Sequence, residues 1–139
     1  MIRIIVAVAA GLIGWFVVGT IGNLGLRLSW PEYVAVEKSM NFTLAMLLCR
    51  LAIGALASLC AGAVAAWIAR GSGAAIKSLG ALLTVLFIPV HYNLWDRFPV
   101  WYHAAFLISL FPLTLLGASL LARGFAVSGR PSSKIPETK

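Results

Sequence analysis

The chain has 139 residues, 61% of them hydrophobic and 11% charged, with a mean hydropathy of +0.97. Soluble domains carry about 45–50% apolar and about 25% charged residues, so this chain has too little polar surface to cover a globule and is predicted to be solvated by lipid. Its net charge of +7 does not point to nucleic acid. The bases stand singly near the ends of apolar runs, where they act as topology signals and headgroup contacts. The expected partners are the lipid bilayer and either another membrane protein or a second copy of the chain.

The first apolar run covers 4–26, between Arg3 and Arg27. It exceeds the roughly 7–15 apolar residues of a signal peptide and is long enough to cross a bilayer. It reads as a retained first helix. Gly11, Gly14, Gly22 and Gly25 fall on one side of that helix. In lipid, such small residues let backbones approach, so they are predicted to form a packing face. The connection that follows is polar. It holds Trp30-Pro31, Glu32, Tyr33, Glu37 and Lys38, and Pro31 is placed to start a short interfacial helix.

The second span is expected over 42–69. Arg50 and Arg70 are twenty residues apart, which is about 30 Å of helix and equals the hydrocarbon thickness. With Arg70 at one boundary, Arg50 therefore lies near the other. Gly54, Ser58, Gly62 and Ala66 recur every four residues and form a ribbon for helix packing. Cys49 and Cys60 lie in the same segment, about 16 Å apart along a helix. That is beyond the roughly 7 Å a disulfide can bridge, and no CxxC motif occurs. Both cysteines read as small packing residues.

Arg70-Gly71-Ser72-Gly73 reads as a turn. A third span is expected over 74–94 and a fourth over 99–122, with Pro89 and Pro112 inside them and Pro99 at a helix start. The whole reads as an all-α membrane protein, with four transmembrane helices over 1–123 in an antiparallel bundle with short loops. The stretch 124–139 reads as a disordered, basic cytoplasmic tail. With both termini cytoplasmic, that side holds Arg3, Arg70, Lys77, Arg123, Arg130, Lys134 and Lys139, against Arg27, Lys38, Arg50 and Arg97 on the other. This bias predicts that orientation in a bacterial inner membrane.

The chemically rich stretch is His91 to His103. It contains both histidines, Asn93, Asp96, and the aromatics Tyr92, Trp95, Phe98, Trp101 and Tyr102. It is predicted to be a hairpin at the outer surface with an aromatic belt. Asp96 is either the N-cap of the fourth helix or a partner of Arg50. His91 and His103 are expected at similar depth on adjacent helices. They serve as ordinary interfacial hydrogen-bonding groups or as a pair of haem ligands. Arg50, which lies on the small-residue side of its helix, either snorkels to the boundary or faces a small wet pocket. Asn23, Asn41, Thr43 and Asn93 share that depth, so Arg50, His91, Asn93, Asp96 and His103 form the candidate polar cluster.

The sequence has no P-loop, no HExxH and no Ser/His/acid set. The first span holds no acid, so proton-coupled transport lacks its usual relay. The primary expectation is a non-enzymatic structural or accessory membrane protein without a cofactor, packing through small-residue faces. The alternatives are a carrier or channel for a small anionic solute and a haem-binding subunit through His91 and His103.

Overall fold

The structure, a computed structural model, describes residues 1–128. The chain forms α1 (Ile2–Ser29), α2 (Pro31–Glu37), α3 (Leu44–Ile68), α4 (Gly73–Asn93) and α5 (Val100–Ser128). All but α2 are long and apolar enough to cross a membrane. The expected four-span, all-α architecture is thus observed. The tail differs at its start: α5 runs through Gly124 to Ser128 because one glycine costs only about 1 kcal/mol in a helix. The remainder of the expected disordered tail, 129–139, lies outside the described residues.

Local chemistry explains the breaks. Trp30 ends α1 and begins α2, and Pro31 occupies the first turn of α2, where its missing N–H costs nothing. Thr43 caps α3, its hydroxyl accepting from the Met46 amide at 3.4 Å. After α3, Arg70 (φ 51) and Gly71 (φ 78) turn the chain through left-handed backbone, and the Gly71 amide donates to the Ala66 carbonyl at 2.8 Å. Glycine adopts that region freely, whereas arginine pays for it.

Successive spans alternate in direction. The most extensive interface, however, joins α3 to α5, which run the same way, and the next joins α1 to α3. Glycine makes the first possible. A methyl on Gly62 would overlap the Thr114 carbonyl, and one on Gly117 would overlap the Leu59 carbonyl. The two backbones are therefore in direct contact, as small residues permit in lipid. Gly54 meets the Phe106 ring, Gly80 meets Phe111, and Gly11 sits against Leu79 and Ala61.

Of the expected packing face on α1, Gly22 faces Ile53 and Gly14 only brushes Val64, while Gly25 faces open space. Gly25 lies near the C-terminal end of α1, beyond the reach of its neighbours. Between these contacts lies a core of Trp15, Ala57, Ala61, Ala65, Leu79, Leu83, Phe106 and Leu110. Bulky residues such as Ile13, Leu56, Val85 and Ile108 point outward, which suits lipid and not water.

Candidate functional site

Two polar arrangements sit in the half of the bundle away from the termini. The first is built around Tyr33. Pro31 sets the start of α2, and the helix folds back across the ends of the spans so that Tyr33 is completely buried. Its hydroxyl accepts a hydrogen bond from Arg50 Nη1 at 2.5 Å and donates to Asn23 Oδ1 at 2.8 Å. The Arg50 guanidinium also lies 5.0 Å from the centre of the Phe42 ring, which stacks on Tyr33. An aromatic face favours a cation. The short helix α2 thus pins the arginine of α3 to α1.

Arg50 has no carboxylate partner among the described residues. The one ion pair there joins Arg27 and Glu37 at 3.1 Å, tying the end of α1 to α2. A guanidinium carries five N–H donors. Tyr33 takes one of them, and Nε is buried without a partner.

The second arrangement is the histidine pair. His91 lies in the last turn of α4 and His103 in the first turn of α5, so the hairpin between them brings their Nδ1 atoms to 2.8 Å. Both rings are buried, with Trp95 stacked on His103 and Phe106 against His91. A contact of this length has room for one proton, so the two rings cannot both be charged while it is made. The bonding pattern also assigns the tautomers. His103 Nε2 is buried without a partner, and a buried N–H is costlier to orphan than a lone pair. His103 therefore donates through Nδ1 and His91 accepts, which leaves the His91 proton on Nε2.

The geometry does not suit the haem alternative. The two Nδ1 atoms meet directly at 2.8 Å with the rings edge to face, which leaves no room for an iron between them. No group of three or more His, Cys, Asp or Glu gathers among the described residues.

The two arrangements share one cavity of about 320 Å³, walled by all four spans. Its polar lining comes from Thr20, Asn23, Arg50, His91 and Tyr102, and its floor includes Trp15, Phe87 and Phe106. Phe16, Thr20 and Val90 are the exposed members of the lining, so the cavity opens sideways between α1 and α4. His91 lines this space together with Arg50.

The structure thus brings Arg50 and His91 to one cavity and places His103 directly behind His91. It does not bring in Asn93 or Asp96, which are exposed outside the cavity. Asp96 makes no hydrogen bond or ion pair among the described residues, and α5 begins only at Val100. The turn of Trp95 and Arg97 that precedes Pro99 separates Asp96 from the helix it was expected to cap. Asn41 is also exposed, and Thr43 is taken up as a helix cap. Sequence reasoning missed Thr20, Tyr102 and the role of Tyr33. In the sequence Tyr33 is part of the polar connection and Tyr102 part of the aromatic belt, and only the packing that buries both sets them apart. The chain matches no known protein family, no curated protein and no solved structure.

Proposed function

We propose that this chain is a non-enzymatic integral membrane protein that binds a small oxyanion in the cavity between α1 and α4, as a carrier or receptor. The carrying observation is Arg50: a cation in a cavity wall with no acid against it among the described residues, and with hydrogen-bond donors left over. The Tyr33 hydroxyl and the Phe42 ring that Arg50 meets are neutral, so its charge stands without a counter-charge. An incoming carboxylate, phosphate or sulfate would supply one and could also meet His91 and the Asn23 amide in the cavity wall. The base distribution supports an arrangement with both termini cytoplasmic, so that the cavity serves the outer half of a bacterial inner membrane.

An accessory role through small-residue faces has less support. Gly54, Ser58, Gly62 and Ala66 are all buried within the bundle and are not free for another protein.

The test is a calorimetric titration of the purified protein with phosphate, sulfate and acetate, together with flux of the same anions into proteoliposomes. A saturable response to at least one anion is expected in the wild type. It should be lost in Arg50→Gln and partly kept in Arg50→Lys. A response that is the same in wild type and Arg50→Gln, or absent from both, would overturn the reading.

A further inference from the structure

A second cavity lies at the other end of the bundle, where α3 ends and α4 begins, against the far part of α5. Its volume is about 670 Å³, within the range of roughly 300–1,000 Å³ typical of small-ligand sites. Its floor is apolar: Ala66, Ile76 and Ala118 form a small buried cluster, with Leu115 and Leu121 against it. Its rim is basic, formed by Arg70 and Lys77, and Trp67 stands beside them 68% exposed. We infer that this groove is a binding site for one anionic phospholipid of the adjacent leaflet, with the phosphate at Arg70 and Lys77 and an acyl chain along the Ala66–Ile76–Ala118 floor.

Charge complementarity supports this occupant. The acids of the described residues, Glu32, Glu37 and Asp96, belong to the opposite end of the bundle. Neither Arg70 nor Lys77 has an acidic partner among the described residues. A basic rim over an apolar trough at the end of a span matches a phospholipid in both halves: anionic head and hydrocarbon tail. Tryptophan favours the same level of the bilayer. The turn itself points the same way. Arg70 holds a left-handed position (φ 51) where glycine is easiest, so the chain keeps a guanidinium at the groove where the backbone would favour its absence.

That last point also provides a clean variant. Arg70→Gly suits the turn and retains the fold, yet removes half of the basic rim. The experiment is native mass spectrometry of the full chain from mixed micelles, offering phosphatidylglycerol or phosphatidylcholine with matched acyl chains. One phosphatidylglycerol per chain is expected to be retained in preference to phosphatidylcholine. Each base near an anionic headgroup contributes enough for roughly a fivefold change in affinity. Arg70→Gly should weaken retention by about that factor, and Arg70→Gly with Lys77→Gln by roughly thirtyfold, whereas Arg123→Gln, which lies outside the groove, should leave it unchanged.

Equal retention of the two lipids would overturn the proposal. So would phosphatidylglycerol retention unaltered in the double variant. Displacement by glycerol phosphate alone would show a soluble ligand, and a dimer that excludes the lipid would show a second copy in the groove. Either result would also overturn it. These outcomes are independent of Arg50 and the other cavity.

Discussion

Gly62→Ala tests the packing logic most directly. The added methyl would overlap the carbonyl of Thr114, and a backbone carbonyl cannot rotate away as a flexible side chain can. A close C–H···O contact needs about 3.3 Å between carbon and oxygen, so α3 and α5 must part by about 1 Å or more. A gap of that size forfeits a quarter to a half of the attraction of each neighbouring contact, among them Gly54 on Phe106 and Ala66 beside Ala118. Overpacking costs about 1–3 kcal/mol, and a backbone-to-backbone clash belongs at the upper end, at about 3 kcal/mol.

Gly25→Ala is the matched control. It also lies on an expected small-residue face, but nothing stands within 4 Å of its missing methyl. It should not destabilise, and the better helix propensity of alanine should stabilise the protein by up to about 1 kcal/mol. The assay is unfolding of the purified protein in mixed micelles by increasing SDS, followed by helical circular dichroism. A Gly62→Ala variant within 0.5 kcal/mol of the wild type, or a Gly25→Ala variant equally damaged, would refute the reasoning.

The same unfolding assay addresses the buried polar groups. The Trp15 indole donates to Ser58 Oγ at 3.1 Å, and that hydroxyl donates to the Gly54 carbonyl at 2.8 Å. A double-mutant cycle of Trp15→Phe and Ser58→Ala should give a coupling of about 0.6 kcal/mol and no more than about 1.7; zero coupling would mean that the pair is not formed. Tyr33→Phe removes the hydroxyl between Arg50 and Asn23 and should cost about 1–3 kcal/mol, since it orphans partly buried partners. Thr43→Ala should cost about 1 kcal/mol by loss of the α3 cap. Asp96→Asn should change stability by less than about 0.5 kcal/mol, and a larger loss would reveal a partner that Asp96 does not have in this structure.

Much of the candidate site could be read in the chain because it rests on depth. Counting twenty residues back from Arg70 places Arg50 near the far boundary, and the hairpin His91–His103 follows from a polar knot between two apolar runs. Arg50 and His91 do share a cavity. Depth says nothing about azimuth, however. Asn93 and Asp96 have the right depth and the wrong direction, whereas Thr20 and Tyr102 have both. The histidines illustrate the same limit. Their similar depth was legible, but a 2.8 Å contact between Nδ1 atoms depends on the rotation of α4 against α5.

The sequence by itself determined the lipid environment, the four spans, the short helix after the first span and the small-residue ribbon of α3. These follow from hydropathy, helix rise and the backbone preferences of glycine and proline, which act locally along the chain. Only the tertiary structure decided which small residues are used, and between which helices. Gly62 and Gly117 meet backbone across α3 and α5, while Gly25 meets nothing. The physical reason is that small residues permit close approach without naming a partner. The partner is chosen by the joint packing of all four spans, and the same packing leaves open the cavity on which Arg50 and His91 converge.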